Sequence, residues 1–382
     1  MAEKIRKISV SQPTVTEEDK AAVLDCLEKT FLSGDSPVVG EFESNFSNTV
    51  GRNYGIAVAN GSVALDVVLH ALDLQPGDEV ILPSFTIASC LFAILRTGAK
   101  PVFVDVEDGT WNMSMDTIQE KVTARTRVVM VVHIYGLPVD MDPIVQFCAS
   151  NGIIIIEDAA EAHGVRYRGK MCGSFGLAST FSFYANKAIT AGEGGIVVTD
   201  DDGFKDKIRY LRNLAFAPPP GKRFVHKDLG WNLRLSSLQA ALANSQLRRL
   251  DAITNRKRDI GLKYHSLLTG DNRVGLQLTE TDYAQNMYWV FGVVFDESID
   301  ADAVANDLKL IGIETRPFFF PLHRQPVLEK FALNNQQSLP VSEKIGKQGI
   351  YLPSYIGMDD SDINYVVDRF TSVLDSYGKE FK

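Results

Sequence analysis

A single lysine lies where a hydrophobic run gives way to a glycine-rich segment. Lys187 occurs in FSFYANKAITAGEGG, residues 181–195, with Ser182 and Asn186 before it and three glycines after it. A lysine amine attacks carbonyl carbons only when part of it is neutral, and burial can lower its pKa far enough for that. The segment is therefore either a solvated turn with an ordinary lysine or the site of a reactive amine.

An acidic residue upstream could take part in the same chemistry. Asp158 ends the hydrophobic run GIIIIED, residues 152–158. Taken alone, Asp158 could be a helix cap or a turn former for the segment that follows. Paired with a lysine it has a second interpretation, because pyridoxal phosphate (PLP) enzymes need an amine that forms a Schiff base and an acid that keeps the pyridine nitrogen protonated. Asp158 and Lys187 are therefore candidate catalytic groups.

Two positions could bind a phosphate. Gly61 and Ser62, within NGSVAL, lie between a predicted strand and the start of a predicted helix, where free N–H groups and the helix dipole attract anions. Ser182 is a second candidate donor. Gly-Ser turns also occur for conformational reasons, and strand hydroxyls are common, so these signals decide little alone. A dinucleotide or Walker loop is excluded, because no G-x-G-x-x-G follows the first strand and GEGG lacks Walker spacing.

Five hydrophobic runs in the first half of the chain are typical of strands that are buried on both faces. Amphipathic stretches with helical spacing separate them, and most end at glycine or polar residues. This alternation predicts an α/β fold with a doubly wound parallel sheet, in which ligands bind beyond the carboxyl ends of the strands. The runs are YGIAVAN (54–60), EVILP (79–83), PVFVDV (101–106), RVVMVVHI (127–134) and GIIIIED (152–158).

The sequence pattern changes near residue 250. Upstream of the sheet, TVTEEDKAAVLDCLEKTF predicts a helix with Thr16 as its N-cap. We expect a large domain over residues 1–250, including the N-terminal segment, and a smaller C-terminal domain over residues 251–382. The patterns of the second domain are a long charged helix (RRLDAITNRKRDIGLKYHSLL), a strand (288–295), a helix (301–311) and an aromatic loop (316–326).

The composition excludes several classes of protein. The chain has 382 residues, 45% hydrophobic and 23% charged, and a net charge of −9, which argues against nucleic acid or an anionic membrane as the main partner. No run approaches the ~20 apolar residues of a membrane helix, and MAEKIRKISVSQ lacks the apolar region of a secretory signal, so we expect a cytoplasmic protein. Histidine and cysteine spacing predicts no metal site, and the cysteines are expected to be reduced and buried (Cys26, Cys90, Cys148, Cys172).

Seven segments, in one order along almost the whole chain, together resemble the DegT/DnrJ/EryC1/StrS family of sugar-nucleotide aminotransferases. The resemblance implies the α/β, aspartate aminotransferase-like (type I) fold of PLP-dependent transferases, with a large, mostly parallel sheet domain and a smaller C-terminal α/β domain. Each segment is moderately specific, and the ordered set is highly specific. The segments are NGSVAL, GDEVILPSFTIAS, PVFVDV, IEDAAEAHG, STFSFYANKAITAGEGGIVVTDD, DLGWNLRLSSLQAALANSQLRRLD and TRPFFFPLHRQP.

The resemblance implies roles for individual residues. It places Lys187 at the Schiff-base position, Asp158 at the pyridine nitrogen and Glu161 at the cofactor ring or its hydroxyl. Asn232, within GWNLR, is implied to reach the cofactor phosphate from the partner subunit, which predicts an obligate homodimer with shared active sites. The implied phosphate contacts within one chain are Gly61, Ser62, Val63 and Ser182.

One position departs from the family pattern. Members commonly have an aromatic residue after the position of Thr86, where it stacks on the cofactor, and this chain has Ile87. Phe85 is therefore a candidate for the ring contact, and an aliphatic contact alone is the alternative.

The implied reaction is a ping-pong transamination at C4 of a nucleotide-linked 4-keto-6-deoxy sugar, with L-glutamate as amino donor and Lys187 as proton shuttle. The candidate substrate contacts are Arg316, Phe319 and His323 in the C-terminal aromatic loop. The alternative is that the phenylalanines form an interface core and His323 binds a local backbone group. A second basic group could also bind the diphosphate or be a solvated loop (Lys222, Arg223, His226).

Three alternatives concern the activity. The segments NKxITxGEGG, EDAAEA and TRPxFxPLH are most similar to family members that act on GDP-4-keto-6-deoxymannose, but enzymes for dTDP- or UDP-linked sugars share most of the pattern. Another PLP enzyme of the same fold is the second alternative; the dehydratases among the relatives replace the lysine with histidine, and Lys187 is present. The third is a cofactor-binding regulator, and the basic helix-turn-helix extension expected of a DNA-binding regulator is not found.

Overall fold

The computed structural model describes residues 6–217, 221–333 and 337–377. The helices of these ranges are α1 (Glu17–Glu28), α2 (Pro37–Val50), α3 (Gly61–Ala71), α4 (Ala88–Thr97), α5 (Met115–Gln119), α6 (Met141–Asn151), α7 (Asp202–Arg212), α8 (Ser237–Leu247), α9 (Leu250–Leu268), α10 (Ala301–Leu310), α11 (Pro340–Gln348) and α12 (Asp360–Tyr377). The strands are β1 (Tyr54–Val58), β2 (Glu79–Pro83), β3 (Lys100–Val104), β4 (Thr126–Val132), β5 (Ile154–Asp158), β6 (Arg166–Tyr167), β7 (Lys170–Met171), β8 (Ala178–Ser182), β9 (Gly195–Thr199), β10 (Val274–Leu276), β11 (Phe291–Phe295), β12 (Arg316–Pro317) and β13 (Gly349–Leu352).

The first sheet has seven strands, in the order β1-β9-β8-β5-β4-β2-β3. Neighbouring strands are parallel except where β9 pairs with β1 and with β8. Its strands are almost entirely buried, as their continuous hydrophobic runs predict. The five predicted strands and the mostly parallel α/β sheet are therefore confirmed, with strand ends shifted by two residues or fewer.

One edge of this sheet collects the polar residues that the sequence singled out. Asp158 ends β5, Ser182 ends β8, and α3 begins at Gly61 just after β1. Gly195 lies at the same edge, opposite Ser182 on one side and Val58 on the other. A Cβ at Gly195 would come within 2.5 Å of the Asn60 carbonyl group, so the close approach of the two segments requires glycine there.

The predicted first helix is confirmed as α1, with its N-cap. The Asp19 N–H donates to Thr16 Oγ1 over 3.3 Å, and the Thr16 N–H donates to Asp19 Oδ2 over 2.9 Å, which forms a capping box. Asp19 also pairs with Arg249, over 2.7 Å, at the residue before α9. The N-terminal helix is thus joined to the start of the long helix near residue 250.

A second sheet follows α9, with four antiparallel strands in the order β10-β11-β13-β12. It forms a separate hydrophobic cluster with α9, α10 and α12. Ile8 from the N-terminal segment pairs with Ile313 and packs in this second cluster. The domain boundary at residue 250 stays a prediction.

Two local predictions for this region were inexact. The predicted strand over residues 288–295 begins only at Phe291, because Tyr288 has a φ of 55°, which breaks the extended backbone. The predicted loop over residues 316–326 contains the short strand β12 and a 3₁₀ turn over Leu322–Arg324. No helix of the described ranges combines the length and the hydrophobicity that crossing a lipid bilayer would require.

Candidate active site

A cleft of about 640 Å³ opens at the polar edge of the seven-stranded sheet, within the size range of small-molecule sites. It has two contrasting sides. The sheet wall comprises the start of α3 and the residues Asp158, Glu161, Ser182 and Lys187; the aromatic wall comprises Trp289, Pro317, Phe319 and Tyr351. The residues of the sheet wall lie at or after the carboxyl ends of parallel strands, and the residues of the aromatic wall belong to the part of the chain after α9.

Asp158 is a buried acid, with 4% of its surface exposed. Its Oδ1 accepts a hydrogen bond from the Ala160 N–H over 3.1 Å, and its Oδ2 accepts one from the Cys90 thiol over 3.2 Å. Burial raises the pKa of Asp158, and these two donors and the charge of Lys187 offset the rise only in part. A cationic group in front of Asp158 would therefore be stabilised by it and would favour its ionised form.

Glu161 lies three residues further and is held by a backbone group. Its Oε2 accepts the Tyr135 N–H over 2.9 Å, and its Oε1 is 3.7 Å from Lys187 Nζ. Burial, together with the neighbouring Asp158, raises the pKa of Glu161 to about 7, although Lys187 and the Tyr135 N–H act in the opposite direction. The carboxyl group of Glu161 therefore titrates near neutral pH.

The amine of Lys187 lies between an acid and an aromatic ring. Its Nζ is 3.6 Å from the centre of the Trp289 ring, on the aromatic wall. Burial lowers the pKa of Lys187, and the negative charges of Glu161 and Asp158 oppose this effect. A lowered pKa provides the neutral amine that a nucleophile or a general base requires.

The start of α3 and two serine hydroxyls form a polar pocket at one end of the cleft. The Gly61 and Ser62 N–H groups belong to the first helical turn and have no acceptor within the helix. Ser62 Oγ lies 2.7 Å from Ser89 Oγ. A Cβ at Gly61 would lie 2.6 Å from Ser182 Cβ, so glycine lets α3 approach β8 this closely.

Val63, a predicted phosphate contact, differs from Gly61 and Ser62 in its backbone hydrogen bonding. Its N–H already donates to Asn60 Oδ1, over 3.0 Å, because Asn60 is the N-cap of α3. Val63 lines the cleft, but the free donors of this turn are the N–H groups of Gly61 and Ser62.

These features fit a cofactor with a cationic ring nitrogen at one end and a phosphate at the other. Asp158 is a buried acid whose ionised form needs a cation, and the α3 turn with Ser62 and Ser182 is an anion site. Lys187 lies in the same cleft. The residues present could therefore hold PLP. Within the described part of the chain, no group of three or more His, Cys, Asp or Glu could hold a metal ion.

Phe85 does not line the cleft and needs correction as the candidate ring contact. It is fully buried and packs its ring 5.8 Å from Tyr135 and 5.6 Å from Phe318, measured between ring centres. Ile87 lines the cleft instead and is 43% exposed. The loop directs Phe85 into the core and leaves Ile87 facing the cleft, and an aliphatic contact from Ile87 to the cofactor ring stays a prediction.

Two of the three predicted substrate contacts also lie elsewhere. Phe319 lines the cleft. His323 is buried, with its Nδ1 2.6 Å from Ser84 Oγ and its Nε2 2.9 Å from Glu343 Oε1, so it joins structural elements. Arg316 is exposed and pairs with Glu314 over 2.6 Å, and it is not among the described residues that line the cleft.

Asn232 lies on an exposed loop, where it pairs with Asn213, and it is not among the described residues that line the cleft of its own chain. Its neighbours on this loop include large exposed hydrophobic residues (Phe224, Val225, Leu229, Trp231). The basic residues of the same loop are exposed and face other groups: Arg223 lies over the Phe216 and Phe224 rings, and His226 Nδ1 lies 2.8 Å from the Leu214 carbonyl oxygen. The shared-site role of Asn232 stays a prediction.

Four residues near the chemistry were missed by sequence reasoning. Ser89, Trp289 and Tyr351 line the cleft, and Cys90 donates to Asp158. Cys90 lies in the first turn of the helix after a strand, which is the one signal that could have placed it at this edge. Trp289 and Tyr351 had no such signal, because each lies at a strand of the second sheet.

The comparison with known proteins identifies the family. The model of the DegT/DnrJ/EryC1/StrS aminotransferase family matches residues 13–371. The chain belongs to this family. The predicted resemblance, the fold class and the enzyme class of an aminotransferase are therefore confirmed.

The sequence similarity to individual relatives extends over nearly the full length of this chain and of each relative. The chain is 36% identical to the GDP-perosamine synthase of Escherichia coli O157:H7, covering 95% of this chain and 98% of the relative. It is also 36% identical to the GDP-perosamine synthase of Caulobacter vibrioides, covering 96% and 98%. The crystal structure of the aminotransferase TlmJ from Streptoalloteichus hindustanus superposes with a TM-score of 0.90 at 29% identity, covering 97% of this chain and 99% of that one.

Proposed function

We propose that this aminotransferase moves an amino group from L-glutamate to C4 of a nucleotide-linked 4-keto-6-deoxy sugar, with PLP as its cofactor. The proposed substrate is GDP-4-keto-6-deoxy-D-mannose, and the product is GDP-perosamine. The observation that supports the chemistry is the buried amine of Lys187 in one cleft with Asp158 and Glu161. The similarity to GDP-perosamine synthases over nearly the full length of both chains supports the choice of sugar.

PLP, when bound, supplies an aldehyde that takes up the amino group and a ring that stabilises negative charge on the reacting carbon. Asp158 would hold the proton of the pyridine nitrogen, because its buried carboxylate favours a cation in front of it. The α3 turn, Ser62 and Ser182 would hold the phosphate. Three contacts on different elements would thus orient the group.

Lys187 would carry the cofactor and then act as the general base and acid. Its pKa is lowered by burial, so a neutral amine is present that would move a proton between the reacting carbon of the substrate and the aldehyde carbon of the cofactor. Glu161, 3.7 Å away, limits this lowering through its negative charge, which stabilises the ammonium after the proton arrives. The Tyr135 N–H fixes Glu161 in that position.

The aromatic wall would contact the sugar nucleotide. Pro317, Phe319 and Tyr351 present apolar surface to the open side of the cleft. Contacts with the nucleoside diphosphate, which does not react, would orient the sugar and place C4 at the amine. This arrangement predicts poor activity with a free keto sugar.

The homodimer is part of the proposal. Asn232 is exposed and belongs to a loop with several exposed hydrophobic residues, as expected of a surface that a second copy covers. In a two-fold dimer this loop would bring Asn232 to the phosphate end of the partner's cleft.

The decisive experiment uses the purified protein with PLP, L-glutamate and a panel of GDP-, dTDP- and UDP-linked 4-keto-6-deoxy sugars. We expect 2-oxoglutarate and the amino sugar in equal amounts, with the highest kcat/KM for GDP-4-keto-6-deoxymannose. A higher kcat/KM for a dTDP- or UDP-linked sugar would replace the proposed substrate. Equal rates with free keto sugars, or with 2-oxo acids as sole acceptors, would contradict the proposed class of substrate.

A further inference from the structure

Trp289 is the residue of the aromatic wall that touches the reactive amine. It is 6% exposed, and the centre of its ring lies 3.6 Å from Lys187 Nζ. Its indole Nε1–H donates to the carbonyl oxygen of Asn186 over 2.9 Å. The ring is therefore tied to the residue that precedes Lys187, and its face is directed at the amine.

The backbone of Trp289 is held by the same turn that holds Glu161. The Trp289 N–H donates to the Tyr135 carbonyl oxygen over 2.8 Å, and the Tyr135 N–H donates to Glu161 Oε2 over 2.9 Å. A Cβ at Gly136 would come within 2.8 Å of the Trp289 nitrogen, so glycine permits this close contact. One rigid turn therefore sets the distance between the indole face and the Glu161 carboxylate.

Tyr135 and Tyr288 support this arrangement with unusual backbone conformations. Their φ values are 57° and 55°, in a region that bulky residues rarely adopt. Such conformations persist only where surrounding contacts impose them, and they concentrate at functional sites. Both residues lie beside the contact between the Tyr135 turn and Trp289.

We propose that Trp289 is a positioning residue, whose indole face stabilises the Lys187 amine as an ammonium ion and holds it beside Glu161 while it carries a proton. The ring of tryptophan has a negative face, and a cation within about 6 Å of its centre is attracted to that face. The amine gains one proton and one positive charge, and it loses both when the proton is returned. This inference rests on the proposed function in so far as Lys187 is the proton carrier.

Other charged and titratable groups also act on Lys187. Glu161 and Asp158 stabilise its cationic form, and burial opposes that form. The Cys90 thiol is neutral because burial raises its pKa well above the usual value, and the His163 ring, which packs against Phe181 and Phe183, is neutral because burial lowers its pKa to about 3. A packing role for Trp289 would leave the balance among these groups unchanged. An electrostatic role would shift it, and this difference can be measured without cofactor or sugar.

The test measures the ionisation of Lys187 in the cofactor-free protein by trace labelling with acetic anhydride across pH, with peptide mass spectrometry. We expect Trp289→Leu to lower the pKa of Lys187 so that the ratio of ammonium to neutral amine at a given pH falls about 3- to 10-fold. Trp289→Phe, which keeps an aromatic face, is expected to fall between Leu and the unaltered protein. Phe370→Leu removes a buried ring in the second core and should leave the Lys187 profile unchanged.

A second measurement avoids the loss of the side chain. Fluorinated tryptophans keep the shape of the ring and weaken its negative face, and the chain has three tryptophans. Increasing fluorination should lower the pKa of Lys187 step by step in the unaltered protein and have no effect in Trp289→Phe. A Lys187 profile that does not change with fluorination would overturn the inference, even if Trp289→Leu fails to fold. That result would leave the proposed function intact, because the amino sugar assay is independent of it.

Discussion

The two walls of the cleft are built in opposite ways. The sheet wall carries the buried acids Asp158 and Glu161 and the largely buried Lys187, and all three have shifted pKa values. The aromatic wall carries rings and a proline, and its one titratable group, Tyr351, has its pKa raised by burial to about 12, so it stays neutral. The three ionisable groups of the sheet wall can carry a charge near neutral pH, and the aromatic wall contributes uncharged surface.

This difference indicates how the work is divided. Charged groups stabilise the charges that develop as bonds form and break. An uncharged residue of the same shape, such as Asn in place of Asp, cannot replace them. Apolar surfaces select among substrates by contact area, with smaller effects per residue. Substitutions on the sheet wall should therefore reduce turnover. On the aromatic wall, substitutions of residues other than Trp289, whose ring touches the Lys187 amine, should mainly change KM. Four predictions test this contrast.

The largest effect is expected at Lys187. Lys187→Ala should lose at least ~10³-fold in turnover, because it removes both the amine that carries the cofactor and the general base. Borohydride treatment of the unaltered protein should fix the cofactor to Lys187, detected by peptide mapping.

Lys257 offers a matched control for this experiment. Among the described lysines, Lys257 also has a lowered pKa, about 7 because of burial alone, and its Nζ donates to the Ser354 carbonyl oxygen. Lys257→Met should keep cofactor fixation at Lys187. If peptide mapping placed the cofactor on Lys257, the assignment of the reactive amine would be wrong.

The second effect is expected at Asp158. Asp158→Asn keeps the shape and removes the charge that would hold the pyridine nitrogen proton, so turnover should fall at least ~10²-fold. The neighbouring Glu157 is the control, because its carboxylate accepts the N–H groups of Gly173 and Phe175 and lies against His133. Glu157→Gln should lower the melting temperature and have only a small effect on turnover. Near-normal turnover in Asp158→Asn would reduce Asp158 to a structural cap.

The contrast between the walls also explains which parts of the site were predictable. Asp158 and Gly61 lie at or just after the ends of predicted strands, and parallel strands bring their carboxyl ends to one edge, so the pattern favoured a ligand site there. Ser182 was a candidate donor, but its strand, β8, was not among the five predicted strands. The family resemblance then supplied Glu161 and the specific role of Lys187. The local sequence patterns were sufficient for five of the seven strands of the large sheet and for α1, but not for β8 and the antiparallel β9.

The residues that could not be predicted depend on contacts distant in sequence. Phe85 and Ile87 are near neighbours, and only the packing of the core decides which one faces the cleft. His323 suits a ligand as well as it suits the bridge between Ser84 and Glu343. Trp289 was assigned to a strand, and the positive φ of the preceding tyrosine that turns it toward Lys187 has no signal in the sequence pattern.

A smaller effect is expected on the aromatic wall. Phe319→Leu should raise the KM for the sugar nucleotide about tenfold with little change in kcat, because it removes contact area and no charge. His323→Gln is the paired variant from the same loop, and it should lower the melting temperature while KM stays the same, since the ring is buried against Ser84 and Glu343. Steady-state kinetics and thermal unfolding of both variants measure this. A KM effect in His323→Gln alone would restore the original sequence prediction.

The last prediction, a partial recovery of activity, concerns Asn232, which belongs to neither wall of its own chain. If it completes the sheet wall of a partner, each active site combines Lys187 of one chain with Asn232 of the other. Asn232→Asp should be inactive as a homodimer, because it places a negative charge beside the cofactor phosphate. Lys187→Ala should be inactive for the reason given above. Neither variant alone distinguishes a shared site from a site within one chain.

Co-refolding the two inactive variants distinguishes them. In a mixed dimer with shared sites, one site receives both substitutions and the other receives neither, so it is intact. Random assortment makes about half of the dimers mixed, and each has one working site of two, so about a quarter of normal activity should return. If both residues served the site of their own chain, every site would carry one substitution and no activity would return. Absence of recovery, with mixed dimers shown by differently tagged chains, would therefore confine the sheet wall to a single chain.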